Sequence, residues 1–322
     1  MEKGIRKMRK LFILPLILLT LSGCSIKKMA FNATADMLAP PPSTMIAGDD
    51  NPMIALTGEN DPELVGAFFP TALKLYEIMH LQNPQHENLA VMTGQLYVMY
   101  ANAFVQGPAE QLPFDQFDRQ NHEYERAQNF YMRGRVFVLK ALDSRYPGFS
   151  STVFGTDEQA RTTLLASCKK EDTDALFWAG SGLLGAFSLS PMDAQFQEFL
   201  SGSLAMLETA SVLNPGFNNG AIWEILMAFY AVAPESLGGG RGKALAAYEK
   251  ALYHSNGENP GTHIGYVRSF CIPAQDSAGF DEHLEKALAI DPDSQPENRL
   301  VIVIAQRQAR WLKAEKGEFI LE

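Results

Sequence analysis

Three stretches of the chain close in the same way: LETASVLNP at 207–215, YEKALYHSNGENP at 248–260 and LEKALAIDP at 284–292. Ala210, Ala251 and Ala287 hold equivalent places in them, at spacings of 41 and 36 residues. Weaker copies are LKLYEIMHLQNP at 73–84 and LKALDSRYP at 139–147. Each copy reads as the end of one helix and the turn into the next. The small alanine marks a place where two helices must approach closely, and the proline ends the unit because it cannot continue the helical hydrogen bonding. A period of this size means helix–turn–helix units, which bury their apolar faces by stacking on one another. That constraint sets the fold class as all-α.

The rest of the chain agrees. Asp61-Pro62-Glu63 is a strong helix start, with a capping acid, proline at the first helical position and a second acid near the positive end of the helix dipole. Leu64, Phe68, Ala72, Leu75 and Met79 follow at helical spacing, and Asn83-Pro84 closes the element. Further helices are predicted near 88–106, 121–145, 157–168, 174–187, 192–213, 218–233, 241–254, 260–272, 277–290 and 296–315. The apolar run Leu300 to Ile304 could form a buried strand, but its polar flanks favour a helix. The pattern resembles degenerate tetratricopeptide repeats, whose basic period of about 34 residues is here stretched by inserts.

The N-terminus carries an address. A basic segment with Lys3, Arg6, Lys7, Arg9 and Lys10 precedes the apolar run LFILPLILLTL, which is of signal-peptide length and too short to span a bilayer comfortably. It ends in Leu21-Ser22-Gly23-Cys24. Small residues before a cysteine suit a signal peptidase, and the Cys24 thiol can then take a diacylglyceryl group. Residues 1–23 therefore read as a cleaved lipoprotein signal peptide, 24–60 as a lipidated N-terminus and tether, and 61–322 as the helical domain. Lipid chains on Cys24 anchor firmly, at about 0.8 kcal/mol per buried methylene. Ser25, in place of an aspartate retention signal, points to the outer membrane with the body facing the periplasm. Cleavage leaves 22 basic against 36 acidic residues, a net charge of −14, which excludes nucleic acid as a partner. Cys168 and Cys271 lie far apart without a metal or redox spacing and read as two buried free thiols.

No catalytic constellation emerges. HExxH, paired CxxC and GxSxG are absent, and the six histidines fall in separate segments, as solvated or capping groups rather than metal ligands. The glycine-rich stretch Leu237 to Ala244 lacks the first glycine of a phosphate loop, and Ala244 stands where magnesium binding needs Ser or Thr. It reads as a turn between paired helices. The chain is thus expected to be neither an enzyme nor a holder of a cofactor or metal. Aromatic residues in apolar helices carry the remaining signal: Trp178, Trp223, Tyr230 and Tyr266, with Gly180, Ser181, Gly182 and Gly185 close behind Trp178. Small residues beside a large ring either let another helix pack or leave a space. Repeat-core packing is the simpler reading of the four aromatics, and the lining of an apolar ligand channel is the functional one.

A longer likeness runs through nearly the whole mature chain. AspProGluLeuVal at 61–65, TyrAlaAsnAlaPheVal at 100–105, GluArgAlaGlnAsnPheTyrMetArgGlyArg at 125–135, TyrProGlyPhe at 146–149, AsnGlyAlaIleTrpGlu at 219–224 and GlnArgGlnAlaArgTrpLeu at 306–312 stand in the order and spacing of one family. The chain resembles the T component (TatT family) of tripartite ATP-independent periplasmic (TRAP) transport systems. It departs from that family at Gly182, where a second tryptophan is expected. The resemblance implies a lipoprotein of tetratricopeptide-like helices that forms homotrimers, docks a periplasmic substrate-binding protein and offers an apolar path to a small hydrophobic ligand. It supplies no catalytic residues. The other reading of such an array is a general scaffold lipoprotein for envelope or outer-membrane assembly.

Overall fold

The computed structural model describes residues 31–40 and 53–321. The signal segment and Cys24 lie outside them. The described residues contain helices and no strand. The principal helices are α1 (31–38), α2 (Pro62–Gln82), α3 (Glu87–Tyr100), α4 (Phe117–Arg145), α5 (Glu158–Ala166), α6 (Thr173–Leu189), α7 (Leu200–Leu213), α8 (Ala221–Val232), α9 (Arg241–Ser255), α10 (Pro260–Tyr266), α11 (Ser277–Ala289) and α12 (Arg299–Ala314). The apolar run Leu300–Ile304 is helical, within α12.

Local chemistry sets the boundaries. The Asp61 carboxylate accepts from the backbone N–H groups of Glu63 and Leu64, with Pro62 at the first position, so α2 starts where its free donors find an acceptor. The His86 ring caps α3 by accepting from the Leu89 N–H at 3.1 Å. The three repeat alanines, Ala210, Ala251 and Ala287, are all fully buried, which is why nothing larger recurs there.

The main core lies in the stack α3–α4–α6–α7, and glycine sets its spacing. A methyl group built on Gly94 of α3 would fall 2.5 Å from the Gly134 carbonyl oxygen of α4, and one built on Gly134 would fall 2.7 Å from the Gly94 oxygen. The two backbones therefore cross with no side chain between them. Gly180 sits against the Ser203 carbonyl and Leu207 of α7, while Gly182 faces the Tyr131 carbonyl and the Arg135 stem of α4. The small residues behind Trp178 thus serve helix approach and leave no space. Arg145 fastens the same layer at its end. Its guanidinium reaches Glu87 at the start of α3 and the fully buried Asp172 before α6, and Tyr146 donates to that carboxylate at 2.6 Å.

Two features depart from sequence expectation. Within the stretch expected as a tether, α1 packs on the body. Ala35 and Ala39 are buried against Leu89, Tyr76 and Met79, the Tyr76 hydroxyl donates to the Leu38 carbonyl at 2.8 Å, and Asn83 pairs with Asn32 at 2.7 Å. Alanines one turn apart give even a short helix one flat apolar face. The chain also closes on itself. Arg307 of α12 pairs with Glu63 of α2 through both guanidinium ends, Arg299 donates to the Gly58 carbonyl at 2.9 Å, and Leu300 is buried with Val65 and Phe69. The first and last long helices are therefore neighbours. On the opposite side of α2, Leu64, Phe68, Leu75, Ile78 and Leu81 stay exposed, a stripe of large apolar groups at heptad-like spacing.

The histidines also differ from expectation. His80, His263 and His283 are buried, and the last two meet with their Nδ1 atoms 3.3 Å apart. Tyr266 stacks on His283 with ring centres 4.0 Å apart. Burial, then the neighbouring His263, pushes the pKa of His283 down to about 4 from an ordinary 6.5. Both rings must be neutral in the fold, one donating and the other accepting. Cys168 and Cys271 are free and buried, as expected.

Two outcomes follow. Gly134→Ala forces a methyl group into the α3–α4 crossing and should cost about 1–3 kcal/mol in urea denaturation. The depressed His283 pKa means stability that is present above pH 6.5 and lost as pH falls toward 4. His283→Gln should flatten that acid limb when the denaturation midpoint is followed across the same pH range.

Candidate functional site

Where α12 returns to α2, the helices leave a crevice in two lobes of about 410 and 440 Å³. The first lies between the start of α2, the extension of α3 and α12. The second lies between that extension, Tyr124 of α4, the end of α6 and residues 268–319. Gln106 and Glu110 line both.

Two proline-induced distortions shape it. Beyond Tyr100 the helix widens into a π turn over Ala101–Gln106 before Gly107–Glu110, and beyond Tyr266 it does the same over Val267–Cys271 before Ile272–Ala274. In each case the second residue after the π turn is proline, Pro108 or Pro273. Proline has no N–H for the carbonyl four residues back, and its ring crowds that carbonyl, so the preceding turn opens. Such π turns re-aim side chains and occur often at functional sites.

The re-aimed side chains form one polar chain across the crevice. Asn102 Nδ2 donates to the Tyr131 hydroxyl at 3.2 Å, which donates to Gln106 Oε1 at 2.6 Å. Gln106 Nε2 donates to Glu110 Oε1 at 2.8 Å, and Arg268 Nη2 donates to Glu110 Oε2 at 2.8 Å. Burial holds the Tyr131 hydroxyl protonated by pushing its pKa far up. The chain therefore links both π segments by an ion pair at the junction of the lobes. Around it the walls are mixed: Tyr100 and Phe104 stand with Glu63, Gln111, Arg307 and Gln308 in the first lobe, and Tyr124, Trp311 and Phe319 with Ser188 and Leu189 in the second. At the first lobe's edge, hydrogen bonding to Arg307 draws the Glu63 pKa down to about 2.

None of the four aromatics expected to line a channel borders either lobe. Each is used locally. The Trp178 indole donates to Asp174 one turn back at 2.8 Å, and its ring packs on Phe177. Trp223 donates to the Pro215 carbonyl at 2.8 Å and carries Lys250 over its face. Tyr230 donates to Glu208 at 2.8 Å, and Tyr266 belongs to the histidine pair. The crevice residues gave little signal of their own. The two prolines inside otherwise helical text, followed or preceded by Gln106, Glu110 and Arg268, were the available clue. The glycine turn is real: Gly238 and Gly240 have φ of 84° and 116°, and Lys243 donates to the Gly238 carbonyl at 2.8 Å.

Comparison with known proteins gives this arrangement a context. The model of the TRAP transporter T-component family matches residues 58–320. The chain belongs to that family. It is also similar to an uncharacterized protein of Treponema pallidum (strain Nichols), 43% identical over 304 residues and covering 94% of each chain. The family is one of transport components. Among the described residues of this T component, no helix is long and apolar enough to cross a membrane, and no group of three metal-binding side chains comes together.

The ion pair between the π segments is open to a double-mutant cycle. Glu110→Ala and Arg268→Ala should couple by about 1 kcal/mol in urea denaturation, the upper end for partly exposed pairs.

Proposed function

We propose that this T component is a lipid-anchored, non-enzymatic partner of a TRAP-type substrate-binding protein, and that it hands a small hydrophobic ligand through the crevice. The observation that carries this reading is the open crevice beside the meeting of α2 and α12. The aromatic residues on its walls suit the apolar part of a small molecule, and the Gln106–Glu110–Arg268 chain between the lobes suits one polar end. Apolar walls with a few placed polar groups are the usual make-up of small-molecule sites.

Its surroundings fit the same role. The exposed apolar stripe on α2 is of a kind that proteins bury against partners. The stripe supports docking of the binding protein and leaves room for a homotrimer elsewhere on the array. The tetratricopeptide-like reading of the array fits a body that presents surface to other proteins. Cys24, lipidated at the outer membrane, would hold that body in the periplasm beside the diffusing binding protein.

Native mass spectrometry of the body after Cys24, mixed with the neighbouring binding protein, tests the proposal. The expected spectrum shows a complex of the two and a retained small molecule, both diminished in Ile78→Glu and Trp311→Ala respectively. A bare T component with no partner and no ligand would sink the reading. In cells, Cys24→Ser should abolish incorporation of labelled palmitate and release the protein from the membrane fraction.

A further inference from the structure

Every charged group on the crevice walls already faces an opposite charge. Arg307 pairs with Glu63 through both guanidinium ends, and Arg268 pairs with Glu110. The two carboxylates are also occupied on both oxygens. Glu63 accepts from Arg307 on each, while Glu110 accepts from Gln106 at 2.8 Å on Oε1 and from Arg268 at 2.8 Å on Oε2. With two acids and two arginines, the lining of the two lobes carries no net charge.

The hydrogen-bonding groups left over are neutral. The side-chain amides of Gln111 and Gln308 line the first lobe and make no hydrogen bond among the described residues. The hydroxyls of Tyr100 in the first lobe and Tyr124 in the second are likewise unpaired among the described residues. Burial pushes the Tyr124 pKa up, so that hydroxyl stays protonated. Amides and phenols both donate and accept, which suits the hydroxyl or amide of a ligand and supplies no countercharge for an ion.

An ion would meet two obstacles here. It must separate an arginine from its carboxylate or enter with its own charge unpaired, and an unpaired charge taken out of water is costly. An anion would also approach a chain of net charge −10, which repels it at long range. Resting on the proposed reading of the crevice as a ligand path, we infer that its ligand is an uncharged amphiphile. The apolar part lies against the aromatic rings, and a hydroxyl or amide group lies among the free amides and phenols.

The test titrates the chain from residue 24 onward, carrying Cys24→Ser, with octanol, octanoate and octylammonium near neutral pH. The three probes share one alkyl tail and differ in the charge of the end group. Saturation transfer in nuclear magnetic resonance, followed in competition, gives each Kd. Octanol should bind, and the two ions should bind about tenfold more weakly or worse, because each brings a charge to groups already paired. Glu110→Gln leaves Arg268 without its acid, so octanoate should gain about tenfold in that variant. Arg268→Gln does the converse and should bring a similar gain to octylammonium. Wild type that binds either ion as tightly as octanol overturns the inference and leaves the proposed ligand path standing. So does an octanoate affinity that Glu110→Gln leaves unchanged, which would reduce the wild-type ranking to general partitioning. Binding by none of the three overturns the inference and takes the ligand part of the proposed function with it. Where one variant does not fold, the other variant and the wild-type ranking decide.

Discussion

The α3–α4 crossing governs the geometry of the rest. Gly94 and Gly134 bring two backbones together with no side chain between them, and Gly182 and Gly180 repeat the approach from α4 to α6 and from α6 to α7. Helices packed through ordinary side chains sit about 8–10 Å apart. Glycine at successive crossings keeps this part of the stack tight. The four helices of the main core then act as one block, pinned at one end by Arg145 and Asp172. The C-terminal helices pack around a separate apolar cluster that includes Phe280, Leu284, Ala309 and Leu312, and α12 lies beside α2.

That return is what produces the crevice. Here α12 meets α2, and the space beside them is walled by residues far apart in the chain, such as Glu63 and Arg307, which are 244 positions apart. The two π segments lie on this space. Their prolines cost regular hydrogen bonds but place Gln106, Glu110 and Arg268 together at the junction of the two lobes.

Much of the fold was legible in the sequence. The Asn-Pro and Tyr-Pro-Gly stops, the acid-proline start at Asp61 and the recurring alanines are local signals, and the helices they bound are present. The site was less legible. Tryptophan in an apolar helix signals burial, but the Trp178 and Trp223 indoles find acceptors within their own neighbourhoods, Asp174 and the Pro215 carbonyl, and so belong to packing. The crevice depends on which distant helices meet, and no local spacing encodes that. The buried His263–His283 pair was missed for the same reason, since each ring alone looks like a surface histidine. The two prolines after the π turns were readable, because the clash they cause is local.

Helix α1 alters how the body can be held. It is fastened to the end of the α2–α3 pair through Asn32, Asp36 and Leu38. Any pull on the chain ahead of residue 31 therefore reaches the body at the Asn83–His86 turn, at the opposite end of α2 from the Glu63–Arg307 pair.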